Sequence, residues 1–259
     1  MKISIITATF NSGATLRDTL ESVLSQTHSD VEHIIKDGGS SDNTLEIAGS
    51  FRQRYADAGK SLVIVSGKDS GLYDAMNKGI AMATGDVIGI LNSDDFYTSD
   101  DILSTVEREI EGFDAVYGDI HYVKDPDLDR CIRYYSSRAF RPWKMRMGYM
   151  PAHPSFYCRR RVYSLYGEFD TSFKVAADFE QLLRLIFINR IAIRYVSKDF
   201  VTMRVGGVST SGLESHKRIF ADHMRAYRKN NVHSCIFLEG IRYADRIIEK
   251  ILRLLHVST

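Results

Sequence analysis

The first hundred residues alternate short apolar, β-branched runs with segments of helical periodicity, and the connections between them are short. This alternation is typical of βαβ units, in which helices join parallel strands and cover the sheet. Strands are predicted at residues 3–8, 33–36, 62–66 and 87–91, and helices at about 16–24, 44–55 and 73–83. Asn11 or Ser12 is expected to cap the first helix. The chain is therefore predicted to form an α/β fold with a mostly parallel central sheet flanked by helices.

The second half of the chain is less regular. Residues 115–123 alternate like a strand, residues 124–152 form a loop-rich stretch with three prolines, and residues 191–205 again resemble a strand. Residues 178–188 have the apolar periodicity of a strong amphipathic helix. The sequence GGVSTSG then predicts a flexible break, followed by two helical segments within residues 214–255 that separate near Asn230 and Asn231. We expect one domain over residues 1–210 and a helical C-terminal extension over residues 211–259.

Composition excludes few classes of protein. The 259 residues are 44% hydrophobic, which is ample for a packed core. Lys and Arg (34) nearly balance Asp and Glu (33), so the overall charge does not favour a nucleic acid partner. Three widely spaced cysteines without CxxC pairing argue against a disulfide framework or a zinc site, and a reducing cytoplasm is the simplest location.

Membrane spans and secretion signals are not visible in the sequence. The start MKISIITATFN runs directly into a strand pattern, without the charged and apolar regions of a signal peptide. Apolar runs such as VIGIL and LIFI are far shorter than the ~20 residues needed to cross a bilayer. Any membrane contact is therefore expected to be peripheral, at the inner face of the plasma membrane.

Three acidic clusters indicate the chemistry. They are Asp37 in IIKDGG, Asp94 and Asp95 in LNSDD, and Asp178 in AADFEQLLRL. The first two follow strand-like runs, which delivers their carboxylates to the carboxyl edge of a parallel sheet, where open α/β folds bind ligands. Such clusters fit a site that holds a metal-bound diphosphate and activates an attacking hydroxyl. Sugar transfer from a nucleotide is the function they favour.

The pair Asp94 and Asp95 is the predicted metal site. Adjacent acids that emerge from a dry strand repel each other unless a cation pairs them, and Mg²⁺ or Mn²⁺ is commonly held by one or two carboxylates together with substrate phosphate oxygens. The preceding Asn92 and Ser93 are expected beside the bound nucleotide. The same residues also suit an Asp-rich turn that caps a helix near Ser99.

Residues at other strand ends are candidates for nucleotide contacts. Two groups suit this role and equally suit strand exits, caps and tight turns: Thr7, Thr9 and Asn11 in ITATFN, and Asp37 with Gly38 in KDGGSS. In DSGLYDAMNKG, Asp69 and Lys78 are expected to contact the nucleotide or to order the loop that does. Lys78 also pairs with Asp74 at the i, i+4 spacing of a surface ion pair.

Acceptor-side candidates lie in the second half. Asp178 begins a helix and is the candidate general base, with Glu180 as the alternative. His153 lies in the loop-rich middle, where a structural role is equally open. Nine Lys and Arg residues lie between Arg130 and Arg161 with seven aromatic residues interleaved, and no Asp or Glu occurs up to Gly167. Such a stretch is typical of surfaces that bind an anionic amphiphile at a bilayer, or of a solvated basic face.

Five motifs together resemble, in order and spacing, those of the family 2 inverting glycosyltransferases with the Rossmann-like GT-A fold. They are ITATFN, IIKDGGSSDNT, DSGLYDAMNKG, LNSDD and AADFEQLLRL. The resemblance covers residues 1–210, with residues 1–98 as the nucleotide-binding half and 99–210 as the acceptor-side half. The chain is similar in particular to bacterial enzymes that build O-antigen, capsule or exopolysaccharide repeat units.

The resemblance implies a nucleotide-sugar donor, usually a UDP-sugar, and a glycan or lipid-linked acceptor. It implies that Thr7, Thr9, Asp37 and Asp69 surround the nucleotide, that Asp94 is the main metal ligand and that Asp178 is the general base. The family often has Asp where this chain has Asn92, so Asp95 is expected to contribute more to metal binding. The segment HPSFYCRRRVYSLYGEFD resembles the family's acceptor side, which strengthens the case for His153.

Two questions stay open from the sequence. The amphipathic stretch 235–257 suits packing on the domain, a homodimer contact or a membrane surface. A sugar nucleotidyltransferase also uses a nucleotide, a metal and an α/β sheet, although the chain has no glycine-rich, lysine-bearing N-terminal signature for it. A non-catalytic sugar-nucleotide-binding assembly subunit is the third possibility.

Overall fold

The structure is a computed structural model that describes residues 1–206 and 212–241. Helices and strands alternate through the first half. The strands there are β1 (Ile3–Thr9), β2 (Val31–Asp37), β3 (Ser61–Ser66), β4 (Val87–Ile90) and β5 (Phe96–Tyr97). The helices are α1 (Leu16–Leu24), α2 (Thr44–Ser50), α3 (Arg52–Asp57), α4 (Leu72–Met82) and α5 (Ile102–Glu109).

The second half adds four strands and several helices within the described residues. The strands are β6 (Ala115–Val123), β7 (Arg133–Tyr135), β8 (Phe156–Arg159) and β9 (Ile193–Arg204). The helices are α6 (Arg160–Tyr166), α7 (Ala177–Leu182), which continues as a π-helical turn over Leu183–Ile188, and α8 (Gly212–Lys229). Short 3₁₀ helices cover Pro142–Met147 and His153–Ser155. Residues 236–241 are again helical.

One mixed sheet joins both halves, with the strand order β3-β2-β1-β4-β8-β6-β9-β5 and β7 paired to β6. Strands β1 to β4 are mutually parallel, and β6 and β9 form a second parallel pair. Strand β8 lies antiparallel between β4 and β6, so β6 and β9 run in the direction of β1. The predicted α/β fold with a mostly parallel sheet flanked by helices is confirmed.

Both faces of the sheet are buried. On one face, Ile6, Ile34 and Ile88 pack against α4, α6 and α7 in one apolar cluster. On the other face, Ile3, Ile5 and their neighbours pack against α1, α2, α3 and α5 in a second cluster. Burial on both sides explains why β1, β2 and β4 are continuous apolar runs, as parallel strands covered by helices usually are.

Several boundaries differ from the predictions. The predicted single helix over residues 44–55 is divided at Phe51 into α2 and α3. The predicted cap of α1 is wrong, because Thr15 precedes the helix and Asn11 has φ 50°, with its side-chain oxygen accepting a hydrogen bond from Ser41 N at 2.9 Å.

The C-terminal region agrees with the sequence where it is described. Helix α8 ends at Lys229 and Asn231 has φ 53°, which confirms a break near residues 230 and 231. The predicted flexible break at GGVSTSG and the amphipathic stretch beyond residue 241 lie outside the described residues. The division at residue 210 into a domain and an extension stays a prediction.

Candidate active site

A cleft of about 1640 Å³ lies at the carboxyl edge of the sheet. Residues from both halves of the chain line it, including ten of the predicted site residues. These are Thr9, Asn11, Gly38, Asp69, Asn92, Ser93, Asp94, Asp95, His153 and Asp178. The fold therefore brings the proposed metal ligands and the proposed base, which are more than eighty positions apart in the sequence, to one site.

Asp94 and Asp95 follow β4 and differ in their surroundings. Asp95 is buried, and its Oδ2 accepts a hydrogen bond from Asn92 Nδ2 at 2.8 Å. Asp94 is partly exposed in the cleft wall. Burial raises the pKa of both carboxyls, and the neighbouring charge of Asp94 contributes further to a pKa of Asp95 well above its usual range.

The pair fits a divalent cation. Asp95 Oδ1 is buried, and no atom of the described chain hydrogen-bonds to it. A buried carboxylate oxygen without a partner is costly unless a cation or water satisfies it. The described residues contain no cluster of three or more His, Cys, Asp or Glu side chains able to hold a metal. Asp94 and Asp95 thus suit an ion that takes its other ligands from water and substrate, as Mg²⁺ and Mn²⁺ do.

Arg204 is a site residue that the sequence did not reveal. Its guanidinium lies in the cleft wall, nearly buried, and donates to the backbone oxygen of Asp94 at 2.8 Å. It also pairs with Asp18 and with Asp125, 3.3 Å away. Arg204 ends β9, so its neighbours come from distant parts of the chain. The residue fixes the loop that carries Asp94 and places a positive charge beside it.

Asp37 lies at the end of β2 and holds the loop that follows this strand. Its carboxylate is fully buried and accepts hydrogen bonds from Ser66 Oγ at 2.6 Å, from Gly39 N at 2.9 Å and from Ser40 N at 3.0 Å. Burial opposes ionisation, but these hydrogen bonds outweigh it and lower the pKa of Asp37. These hydrogen bonds fix the loop that follows β2, and the nucleotide contact of Asp37 stays a prediction.

Thr7 and Lys78, two further predicted nucleotide contacts, are not among the described residues that line the cleft. Thr7 is buried and donates to Leu91 O at 2.8 Å, with His33 Nε2 3.0 Å away, so it braces the sheet. Lys78 donates to Asp74 Oδ2 at 2.9 Å and to Lys68 O at 3.2 Å. Of the two roles predicted for Lys78, ordering the loop beside Asp69 agrees with this position.

Asp69 and Gly38 meet at the end of the cleft where the nucleotide is expected. A side-chain carbon on Gly38 would lie 2.8 Å from Asp69 Oδ2, so glycine allows this close approach. Lys36, a buried lysine that the sequence analysis missed, donates to Gly67 O at 2.7 Å and lies 3.4 Å from Asp69 Oδ2. Its position in the apolar run IIKD is the signal that could have revealed it.

Asp178 lies in the first turn of α7, partly exposed to the cleft. Its Oδ1 accepts from Phe179 N at 2.9 Å and lies 3.3 Å from the hydroxyl of Tyr73, which is itself 2.6 Å from Val175 O. Burial, followed by the charge of Asp178, raises the pKa of Tyr73 well above its usual range. Tyr73 therefore stays a donor and holds Asp178 from α4.

His153 is on the same side of the cleft as Asp178. Its ring packs edge-on against Phe169, with centroids 5.4 Å apart. Burial lowers the pKa of His153, although the nearby charge of Asp178 opposes this. A neutral imidazole beside the candidate base is suited to hydrogen bonding with a hydroxyl of the acceptor substrate.

Glu180 is not a suitable alternative base. Its carboxylate is buried and paired with Arg184 at 3.2 Å, and Asn230 Nδ2 donates to it at 3.1 Å. This position argues against the predicted acceptor-side role of Glu180, because two residues are about half a helical turn, so Glu180 is buried while Asp178 lines the cleft.

The far wall of the cleft is cationic and aromatic. Four cations, Arg133, Arg138, Arg141 and Lys144, line it beside Tyr134 and Tyr149. Lys144 lies 5.9 Å from the ring of Trp143 and 5.8 Å from that of Tyr149. None of these four cations has a carboxylate partner among the residues that the structure describes. The wall is suited to an anionic acceptor.

Residues 4–163 match the family described as Glycosyl transferase family 2. The chain belongs to this family. A PGL/p-HBAD biosynthesis glycosyltransferase of Mycobacterium bovis is 32% identical over 196 residues, which cover 74% of this chain and 73% of the relative. This glycosyltransferase family 2 protein thus agrees with the family resemblance predicted from its motifs.

Solved structures share the fold. S. aureus TarS 1-349 in complex with UDP-GlcNAc aligns with a TM-score of 0.67 and 18% identity over 88% of this chain and 72% of the TarS 1-349 chain. The mannosyltransferase PcManGT of Pyrobaculum calidifontis, in complex with GDP-Man and Mn²⁺, aligns with a TM-score of 0.63 and 17% identity over 94% of this chain and 68% of PcManGT. The predicted GT-A fold is confirmed.

The structure adds one negative observation on membranes. Within residues 1–206 and 212–241, no helix combines the length and the apolar character that crossing a bilayer requires.

Proposed function

We propose that this glycosyltransferase moves a sugar from a nucleotide-sugar, with a UDP-sugar favoured, to a hydroxyl of a lipid-linked bacterial glycan, with inversion at the anomeric carbon. The observation that carries this proposal is that Asp94, Asp95 and Asp178 line one cleft, the first two from the end of β4 and the third from α7. Solved neighbours bound to UDP-GlcNAc or to GDP-Man and Mn²⁺ support a donor of this class.

On the donor side, Asp94 and Asp95 would hold Mn²⁺ or Mg²⁺. A bound divalent cation would supply Lewis-acid stabilisation of the departing diphosphate, an effect worth several kcal/mol. Thr9, Gly38 and Asp69 line the end of the cleft proposed for the nucleotide. Arg204, held beside the backbone of Asp94, keeps the loop of the two acids in place and adds positive charge near the diphosphate.

On the acceptor side, Asp178 would act as the general base. Its carboxylate takes the proton of the acceptor hydroxyl while that oxygen attacks the anomeric carbon and the bond to the diphosphate breaks. A single displacement with the base opposite the leaving group inverts the anomeric centre. Tyr73 orients Asp178 through Oδ1, and His153 is placed to hold the acceptor.

The acceptor class is proposed from the far wall of the cleft. Arginine side chains and aromatic rings there suit a phosphate group together with sugar rings. A polysaccharide intermediate on a lipid phosphate combines these features and implies work at the inner face of the plasma membrane. The amphipathic stretch 235–257 stays a candidate contact for the membrane or for a second copy in a homodimer.

The proposal is tested by incubating purified protein with UDP-, GDP- and dTDP-sugars and measuring release of the nucleoside diphosphate. We expect manganese-dependent hydrolysis of one donor class and near-complete loss in Asp94→Ala. Hydrolysis at the wild-type rate in EDTA would contradict the metal assignment.

Two other outcomes would replace the proposal. Formation of a nucleotide-sugar from an NTP and a sugar phosphate would identify a sugar nucleotidyltransferase. No consumption of any donor, even with the membrane fraction added, would favour a non-catalytic binding subunit.

A further inference from the structure

Two surface segments far apart in the sequence lie side by side. The first is the 3₁₀ helix Pro142–Met147, and the second is the stretch 232–241, which follows α8. Arg146 Nε donates to His233 O at 2.6 Å, and Ser234 Oγ donates to Arg146 O at 2.5 Å. The two segments therefore form one continuous surface.

A buried acid fixes this arrangement. Glu239 is fully buried, 2.7 Å from His223 Nδ1 and 2.9 Å from the hydroxyl of Tyr227. The same hydroxyl is 2.7 Å from Met145 O. A side-chain carbon on Gly148 would lie 2.4 Å from Glu239 Oε1, so this glycine allows the close approach. His223 and Tyr227 of α8 therefore link the two segments on their buried side.

Large apolar side chains project from the joined segments. Trp143 is 57% exposed, Ile236 65%, Phe237 87% and Ile241 39%. We call these four residues the docking face. Exposed aromatic and aliphatic side chains gathered on neighbouring segments usually mark a surface that binds a partner.

Charge indicates which partner suits the docking face. Lys144 and Arg146 belong to the same 3₁₀ helix, and Arg141 precedes it. The sequence has no Asp or Glu between residues 130 and 167, and Glu239 is the one acid within residues 232–241. Because Glu239 is buried, neither segment presents a carboxylate to solvent.

We propose that the docking face binds the anionic phospholipid surface of a bilayer, an inference that rests on the proposed lipid-linked acceptor. Tryptophan and phenylalanine insert at the level of the headgroups, and lysine and arginine beside them contact anionic phosphates. A second protein surface would need acidic groups to match these cations, whereas an anionic bilayer supplies both the apolar layer and the negative charge.

The position of the docking face agrees with this partner. Arg141 and Lys144 line the acceptor wall of the cleft, and Trp143 lies between them in the chain. A bilayer against Trp143 and Phe237 therefore lies at the mouth of that wall. An acceptor anchored by its lipid would reach the cleft without leaving the membrane surface.

The test is flotation of the full-length protein with vesicles of phosphatidylcholine alone or with added phosphatidylglycerol. We expect flotation with the anionic vesicles, weakened by high salt, and at least a tenfold loss of bound protein for the double variant Trp143→Ser, Phe237→Ser. Leu165→Ser is the matched control, because Leu165 on α6 is 70% exposed and lies outside both segments. It should float like the wild type.

Donor hydrolysis in solution separates this inference from the proposed function. Trp143 and Phe237 are outside the residues that line the cleft, so the double variant should hydrolyse donor at the wild-type rate, which also shows that it is folded. If the wild-type protein hydrolyses no donor but still floats with anionic vesicles, the proposed function is refuted and the membrane inference is not.

Three results would overturn the membrane inference. The first is equal flotation of the double variant and the wild type. The second is a wild-type protein that floats only after residues 242–259 are removed, which would mean that this segment covers the face. The third is a wild-type dimer that fails to float and that the double variant converts to a monomer.

Discussion

At the scale of single residues, the surroundings of each carboxylate separate structural acids from candidate reactive ones. Asp37 is surrounded by donors that lower its pKa, so its charge is already used by the fold. Asp95 is buried with an oxygen that no described atom hydrogen-bonds, and burial raises its pKa. Asp178 is partly exposed in the cleft and held by Tyr73. Of these three acids, Asp95 and Asp178 are the ones with capacity left for a ligand.

His33 gives a residue-scale prediction about stability. It is fully buried between Tyr55 and Thr7, and burial lowers its pKa from 6.5 to about 3. Between these two values the unfolded chain binds a proton that the folded chain excludes, so acidification favours unfolding. We expect His33 to remove about 2 kcal/mol of unfolding free energy between pH 7 and pH 5, measured by urea denaturation.

The control is His33→Gln, which keeps polar groups at this position but does not titrate. It should be less stable than the wild type at pH 7 and lose less stability on acidification. Equal pH dependence in both proteins would show that His33 does not control this range.

Single residues were predictable where a motif carries them. Asp94, Asp178 and Asp69 stand in recognisable sequence patterns, and the structure places all three at the cleft. Arg204 and Tyr73 were missed, because their importance comes from partners more than a hundred positions away. Glu180 was misassigned, since the sequence does not show which face of α7 enters the core.

At the scale of elements, α4 links the nucleotide loop to the base. The helix begins directly after Asp69 and Gly71, packs on β1 and β2, and carries Tyr73 toward Asp178. Gly79 allows its close contact with β1, because an added side-chain carbon would lie 2.4 Å from Ile6 Cγ2. The close packing of α4 on the sheet therefore sets the position of both loops.

This packing predicts opposite effects of the same substitution in two helices. Gly79→Ala should destabilise the protein by about 1–3 kcal/mol, because overpacking against buried Ile6 outweighs the better helix propensity of alanine. Gly49→Ala in α2 has open space around it and should stabilise by about 0.4–1 kcal/mol. Urea denaturation of the two variants measures both changes. Stabilisation by Gly79→Ala would contradict the contact.

The elements most accessible to sequence reasoning were those with strong periodicity. Strands β1 to β4 and the helices between them follow the predicted order, because each is a clear apolar run or an amphipathic repeat. The short strands β5, β7 and β8 were missed. They have two to four residues each, and their pairing partners, β9, β6 and β4, fix them through tertiary contacts that no local pattern encodes.

At the scale of the whole molecule, one sheet joins strands from both halves of the chain. Strands β1 to β4 present the proposed donor side, and β8, β6 and β9 extend the same sheet toward the acceptor wall. The cleft lies where the halves meet, so the leaving group and the attacking hydroxyl would be held by different parts of one rigid scaffold. The docking face adjoins the acceptor half through residues 141–144.

The central claim is that Asp178 serves the attacking hydroxyl while Asp94 and Asp95 serve the leaving diphosphate. The most direct test is Asp178→Asn, with donor affinity measured by calorimetry and sugar transfer measured on the same preparation. We expect unchanged donor affinity and transfer slowed by about 10²–10⁴-fold, the usual contribution of a general base. Transfer at the wild-type rate, or loss of donor binding together with transfer, would contradict the account.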